Sequence, residues 1–521
     1  MKLLKIVAAL ALTAQIANAA EPTEGGTLRL IAQPEPPMLM LGLNQQGPTQ
    51  FVAGKIYEGL LRYGTDMSVL PGLAKSWTVS EDGLVYTFEL QNDVVWHDGE
   101  PFSSKDVVFS LSKFLPEVHP RARGVMGHVR NITAQGANTV SIELNAPFPA
   151  FLQSFEVSSA PIVPAHIYEG TDYRANAANE TPIGTGPFKF DEWQRGSFIR
   201  LVKNDQYWQD GKPYLDEIVF NVVPDAASRA VAFETGKVDV LRGGDVEYFD
   251  VQRLAALPDA ETTNAGWEFL SPITWIQFNL RNEPMNDVRF RKAVWHAIDR
   301  EFIANAIWMG FADPADGPLP PSSPFYKENL PAADYNPDKS RALLDEMGLT
   351  PDENGVRTTV RYLSLPYSET YIRMGEYIRQ QLREIGIELE VTQTDVGGWA
   401  QSLGQWDYDM TVNLLYQYGD PALGVERAYV SSNLVKGSPS ANVSGLDNPE
   451  IDKVLSEAGT ATSTDERMKL YAEFQQTVVD EAYFGYLVRV NFPTVYKTKV
   501  RNLVGSAIGL NDTMADVWIA E

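Results

Sequence analysis

Five histidines, at positions 97, 119, 128, 166 and 296, and 68 acidic residues are the material from which this 521-residue chain could assemble a catalytic or metal centre. The histidines show no His-Glu-x-x-His or other ligand spacing. Cysteine is absent, which excludes cysteine-ligated zinc, a disulfide framework and a thiol nucleophile. Asp334-x-Asn336-x-Asp338, with Asp345 eleven residues after Asp334, mimics a calcium loop. Its sixth position is Lys339, where the turn needs glycine, and its last ligand is Asp rather than Glu. Asn336-Pro337-Asp338 instead reads as the cap of a helix running through Ser340 to Leu344. Ser110-Leu111-Ser112-Lys113 matches a Ser-x-x-Lys pattern, but no Lys-Thr-Gly accompanies it, and Val107, Val108 and Leu111 make it an amphipathic helix. Gly184-Thr185-Gly186 lacks the third glycine and the following helix of a nucleotide loop. The sequence thus implies no catalytic residue, no metal site and no cofactor.

The elements alternate between strand and helix. Thr27 to Leu30 reads as a first strand, and Val140, Ile142, Leu144 and Ile218, Phe220, Val222 alternate as half-buried strands. Ser228 to Thr235 reads as a short helix closed by Gly236, ahead of a strand Val238 to Leu241. Tyr371, Met374, Ile378, Leu382 and Ile385 recur at three and four, one apolar helix face. Gly386 stops that helix, and Ile387, Leu389 and Val391 alternate as the next strand. Strand–helix–strand units in two regions predict two α/β lobes. Residues 63–180 are richer in strands and turns, with Trp96-His97-Asp98-Gly99 as a tight corner.

Met1-Lys2-Leu3-Leu4-Lys5, a short apolar run to Leu12, and Ala17-Asn18-Ala19 predict a signal peptide, residues 1–19. The run is far below the ~18 residues of a spanning helix. With no cysteine to carry lipid, the expectation is a free periplasmic protein. The formal charge of −25, or −27 once Lys2 and Lys5 leave with the leader, repels nucleic acid and anionic lipid. It reads first as solubility, with selection of cationic ligands as the alternative.

Longer motifs point to function. Gly184-Thr185-Gly186-Pro187-Phe188-Lys189-Phe190 is followed by Phe278-Asn279-Leu280 and by Val288-Arg289-Phe290-Arg291-Lys292-Ala293-Val294. Earlier come Ile56-Tyr57-Glu58-Gly59-Leu60-Leu61, Leu70 to Trp77, Tyr86 to Leu90 and Trp96 to Phe102. In this order and spacing they resemble the extracytoplasmic solute-binding proteins of ABC importers, the dipeptide- and oligopeptide-receptor type of bacterial family 5. The resemblance implies a two-lobed periplasmic-binding-protein fold, α/β, with a hinge and an extra strand-rich domain on the first lobe, pear-shaped overall. Residues 20–62, 181–275 and 486–521 would form lobe I, 63–180 the extra domain and 276–485 lobe II, with crossings near 275 and 486. Gly184, Gly186 and Pro187 are expected to shape a turn, and Trp77 and Trp96 to be core.

The resemblance also implies a ligand between the lobes. It points to Gln46 in the loop after the first strand, to Trp275 and Gln277, and to Tyr416, Gln417 and Tyr418 before Gly419-Asp420-Pro421. Trp399 lies close by in sequence. Dipeptide receptors of this type carry an aspartate three residues before Gly-Asp-Pro and an arginine before Pro-Tyr. Here those positions hold Gln417 and Leu365, the latter ahead of Pro366-Tyr367. Losing one partner of a buried charge pair costs about 2–5 kcal/mol, so a simple zwitterionic dipeptide would be poorly held. The ligand is then either a peptide held elsewhere, with Arg361 or Arg373 as a displaced carboxylate partner, or a non-peptide solute such as an oligosaccharide or an opine-like conjugate. The implied partners are that ligand and ABC permease subunits of the inner membrane, with the protein itself a monomer. A secreted hydrolase and a sensory or chaperone-like receptor are the competing classes.

Overall fold

Apolar alternation and helix caps build the elements, and a computed structural model describes residues 21–520. The expected signal peptide lies outside the described residues. Thr27–Ile31 pairs in parallel with Glu217–Asn221, and Phe198–Lys203 and Phe188–Gln194 extend that sheet antiparallel. A three-stranded sheet orders Val240–Leu241, Thr494–Lys497 and Ala260–Thr263. These two sheets draw on the N-terminal, middle and C-terminal parts of the chain and are called the first lobe below.

The second lobe is built on a six-stranded sheet: Ala312–Pro314, Phe484–Val490, Ile273–Phe278, Met410–Leu415, Thr358–Leu363 and Ile387–Thr392, in that order. Two of its parallel strands, Thr358–Leu363 and Ile387–Thr392, are joined by the helix Glu369–Glu384, which buries Tyr371, Met374, Ile378 and Leu382. Gly386, at φ 87°, ends that unit in the left-handed region, where a side chain would be strained. The chain passes between the lobes at 264–272 and again at 491–493, between the strands that bound those stretches. The crossings expected near 275 and 486 therefore fall inside two strands. Ladder bonds hold Ile273–Phe278 and Phe484–Val490 whole within the six-stranded sheet. Hydrophobic alternation alone does not mark where a strand changes sheet.

Residues 74–144 form a four-stranded antiparallel sheet in the order Ala74–Val79, Val85–Leu90, Thr139–Leu144, Val129–Ala134. Its inward side chains, among them Phe88, Val140 and Ile142, belong to the same apolar cluster as Leu28, Leu30, Ile218 and Phe220 of the first lobe. One continuous core gives no reason for the two to move apart. Trp96 is fully buried in that cluster and Trp77 packs against it. Among the described residues no helix is long and apolar enough to cross a membrane.

Gly184 and Gly186 are present for close approach rather than for turn conformation. Neither has a positive φ, but a Cβ on Gly184 would overlap the carbonyl oxygen of Ile56, and one on Gly186 that of Lys55. The backbone of this stretch can thus donate from Gly186 N to Ile56 O at 2.9 Å. Thr185 donates to the buried Glu58, which also accepts from Tyr207 (2.9 Å) and Trp208. His97 closes the arrangement: its N–H donates to Gly184 O, and its Nε2 lies 2.9 Å from Gly186 O. The Ile56–Leu61 and Gly184–Phe190 motifs meet in this buried seam between the first lobe and its added sheet, whereas Phe278 and Phe290 to Val294 pack in the second lobe.

The decoys resolve the same way. Asn336 accepts from Lys339 N at 3.0 Å and caps the helix Pro337–Glu346. Ser110 lies at the start of a π-helical turn, Ser110–Phe114, where the sequence predicts a continuous α-helix. Its hydroxyl exchanges hydrogen bonds with the backbone of Val163, an inserted contact of the kind that widens a helical turn. Among the described residues no group of three His, Asp or Glu side chains could hold a metal ion.

Candidate functional site

The central strand Ile273–Phe278 is buried along its whole length, so its side chains can reach a cleft only where a neighbouring element leaves a gap. Trp275 and Gln277 share one face of it, and Trp275 Nε1 donates to Gln277 Oε1 at 3.0 Å. Asn413, directly opposite Trp275 in register, donates to the same oxygen at 3.4 Å. This polar triad and a set of rings line a cavity of about 260 Å³. Trp399 contributes an indole whose N–H is held by Thr411 Oγ1 at 3.2 Å, and Tyr367 meets it edge-on at 5.5 Å. Tyr367 is 46% exposed, a ring left open to the cavity mouth. Tyr416 and Tyr418 close the far side, 6.1 Å apart.

Beyond Leu415 the chain stays extended for two residues, so Tyr416 and Tyr418 face the cavity while Gln417 points away. The Gln417 side chain is buried, and its amide donates to Pro318 O at 3.2 Å. Gln417 is absent from the cavity wall, contrary to the sequence expectation, because period-two alternation turns it to the opposite face. Leu365 is also away from the cavity, fully buried in the core of the second lobe. Gln46 is exposed at the start of the helix Gly47–Ala53 and lines no cavity. Of the nine residues named from sequence, six meet around one cavity: Trp275, Gln277, Tyr367, Trp399, Tyr416 and Tyr418.

Two arginines that the sequence did not single out dominate the electrostatics. Arg427 follows the turn Pro421–Gly424, and its guanidinium bonds only backbone: Nε to Gly424 O at 3.0 Å and Nη1 to Ser440 O at 3.4 Å. Arg121, from the helix Pro120–Met126 of the added domain, stacks 4.1 Å from the centre of the Tyr418 ring. Its Nη2 donates to Ser158 O, while Nε and Nη1 are buried with no hydrogen-bond partner among the described residues. Arg427 stands 5.9 Å from the same ring, and among the described residues neither arginine makes a salt bridge. Burial lowers the affinity of Arg427 for its proton, the Tyr418 hydroxyl opposes this, and Arg121 lowers it further. A third guanidinium, Arg242 of the first lobe, acts on Tyr416 from across the cleft.

Of the carboxylates nearby, Glu156 is fully buried, which raises its pKa, and the charge of Arg121 opposes that rise. Glu426, next to Arg427 in sequence, turns to Tyr471, whose hydroxyl donates to it at 3.0 Å, and burial raises its pKa to about 8. It is therefore neutral at pH 7. Asp420 is committed to Arg467, whose Nη2 donates to both of its carboxylate oxygens at 2.8 and 2.9 Å in a buried pair. Arg361, considered above as a carboxylate partner, is taken by Asp407 (2.6 Å) and Asp409 (2.9 Å), and Arg373 lies by Glu247 and Thr370. The alternative in which the acidic surface selects cations thus does not extend to this cavity. Among the described residues the one charged side chain in its wall is Arg427.

Tyr418 holds φ 51°, uncommon for an aromatic residue, and Gly419 follows at φ 79°. Two backbone bonds tie the bend down: Gly419 N donates to Phe269 O at 3.0 Å, and Gln417 N to Leu270 O at 2.8 Å. Local backbone strain of about 1–3 kcal/mol is thereby spent on aiming the ring between the two arginines.

Comparisons with known proteins identify the family and the fold. The family model described as "Bacterial extracellular solute-binding proteins, family 5 Middle" matches residues 68–434. The chain is 28% identical over 449 residues to the glutathione-binding protein GsiB of Pectobacterium atrosepticum, covering 84% of each chain. It is 27% identical to the nickel-binding periplasmic protein of Escherichia coli, covering 87% of each. The solved structure of the binding protein AgaA with agropinic acid, from A. tumefaciens R10, superposes with a TM-score of 0.79 at 26% identity, covering 95% of this chain and 99% of that one.

Proposed function

The chain belongs to the bacterial extracellular solute-binding proteins of family 5, and from that premise we propose that it captures an acidic small solute, peptide-like or opine-like, between its lobes. Proteins of this family are periplasmic components of ABC importers and work with membrane permeases rather than as enzymes. The ligand itself is the open part of the function. The single observation that carries the reading is Arg121 and Arg427, two guanidiniums that make no salt bridge among the described residues and flank Tyr418, in a protein whose overall charge is −25. An unpaired cation at a partly buried site is costly unless something completes it, and a carboxylate is the partner whose geometry a guanidinium fork fits.

Two relatives take acids, although another is named for nickel. One binds glutathione by name and a solved neighbour holds agropinic acid. A neutral oligosaccharide would use the rings of Trp275, Tyr367, Trp399 and Tyr416 but leave both arginines unsatisfied. It is the second reading, favoured by those aromatic walls alone.

Capture works by differential affinity. Tyr367, Trp399, Tyr416 and Arg427 stand on the second lobe and Arg121 on the added domain joined to the first. Only a closed cleft brings both guanidiniums to one carboxylate, so the ligand favours closure about the two crossings at 264–272 and 491–493. The permease then reads the closed form, and the receptor acts as a monomer.

Calorimetry with a panel of glutathione, glutamate-containing dipeptides, N-acyl glutamates, neutral dipeptides and maltotriose tests this. Micromolar or tighter binding confined to acids supports the proposal. Binding of the sugar, or equal binding of neutral and acidic peptides, overturns it.

A further inference from the structure

The first cavity does not end at the arginines. Tyr418, Arg427 and Ser440 also line a second cavity of about 380 Å³, lying between the added domain and the second lobe. The two spaces differ in chemistry. The first is walled by rings and by the Gln277–Asn413 amides. Beyond the Arg121–Tyr418–Arg427 partition, the second is walled by Ala122, Val125, Met126 and Ala160 on one side and Leu423 on the other. Its floor is the His128 ring lying flat on Phe148, centres 4.1 Å apart and planes 4° from parallel. A small ligand pocket is about 300–1,000 Å³, so the first cavity alone is at the lower limit and the two together are well inside it.

Resting on the anion reading above, we infer that the ligand is a conjugate: a polar, carboxylate-bearing head in the first cavity and an apolar arm of several carbons or one ring in the second, with its carboxylate at the arginine partition. Arg427 lines both compartments, and Arg121 lines the second. The Arg121 guanidinium face covers Tyr418, and its Nε and Nη1 are buried without a hydrogen-bond partner, a cost that a carboxylate at the partition would relieve once the guanidinium turns toward it. An acid small enough to fit the first cavity would leave the apolar wall of the second wet, and an arm of matching size removes that wall from water. Because Ala122, Val125 and Met126 belong to the added domain and Leu423 to the second lobe, the arm would also be gripped by both sides of the cleft.

The test uses two ligand series on the unaltered mature protein, by calorimetry: N-acetyl-, N-hexanoyl- and N-benzoyl-L-glutamate, and glutathione beside S-hexylglutathione. The expected result is that hexanoyl, benzoyl or S-hexyl arms bind at least tenfold tighter than their short parents, since each buried methylene adds a several-fold gain. The heat capacity of binding should become more negative with arm length, a sign of apolar burial that a change in head-group contacts does not give. In Val125→Trp, which fills the second compartment, the hexanoyl and acetyl ligands should bind alike. Parents that bind while longer arms bring no gain, or bind worse, overturn the two-compartment inference and leave the anion reading standing. If no acid in either series binds, the anion reading falls, and this inference with it.

Discussion

Replacing Arg427 by glutamine should separate binding from folding in opposite directions. The side chain lies 5.9 Å from the Tyr418 ring and Arg121 lies 4.1 Å from the same ring. Laid end to end, these distances put the two guanidiniums at most about 10 Å apart, a repulsion of about 0.4 kcal/mol in water and about 1.7 kcal/mol at an effective dielectric of 20. Arg427→Gln relieves that repulsion in the closed form, the one that brings the two guanidiniums together, while keeping a donor for the Gly424 and Ser440 carbonyls. The free protein should therefore melt at an unchanged or higher temperature, by about 1 °C for a chain of this size. Affinity for an acid should fall about 30- to 4,000-fold, the 2–5 kcal/mol lost when one partner of a buried charge pair is removed. Scanning calorimetry on the free protein and titration with the tightest acid of the panel read the two quantities. A variant that melts lower and binds acids as before would refute the reasoning, because Arg427 would then be a structural cation.

Three other outcomes follow from the same geometry. Glu426 is held neutral up to a pKa of about 8, above its unfolded value of about 4.5, so its contribution to stability is complete below pH 4.5 and is lost as pH rises through 8. Ionised, it would also begin to offset Arg427, so acid affinity measured from pH 6.5 to 9 should weaken above pH 8, and Glu426→Gln should flatten that fall. Gln417→Asp sets a carboxylate against the Pro318 carbonyl instead of an amide donor; denaturant unfolding should show about 1–3 kcal/mol of lost stability with no new affinity for cations. Asp420→Ala leaves Arg467 buried without its carboxylate and should cost about 3–5 kcal/mol by the same assay, with weaker acid binding because Asp420 also caps the turn leading to Arg427.

The sequence made the scaffold legible where periodicity and caps agree, as in the Glu369–Glu384 helix, its Gly386 stop and the following strand. The rings around the cavity were legible because the segments bearing Trp275 and Tyr416 have recognisable counterparts in the family. Gln417 was misplaced by one residue's worth of direction: in extended chain, a neighbour at i+1 faces the opposite side. Leu365 stood at a position named for an arginine, yet here it simply fills the core. Arg121 and Arg427 were invisible because an arginine's significance lies in the carboxylates it lacks, which is a three-dimensional property. One signal was available. Arg427 has no acidic residue three or four positions away to pair with along its turn, and it directly follows the segment already under suspicion. The π-turn at Ser110 and the sheet change at 491–493 depend on tertiary contacts that local pattern does not encode.

The central claim is that an acidic solute completes two unpaired arginines in the cleft. Native mass spectrometry of the protein purified from its own periplasm, without added ligand, tests it most directly. The account predicts a retained small molecule that carries at least one carboxylate and is lost from Arg427→Gln. A retained neutral sugar or cationic solute, held equally by the variant, would contradict it.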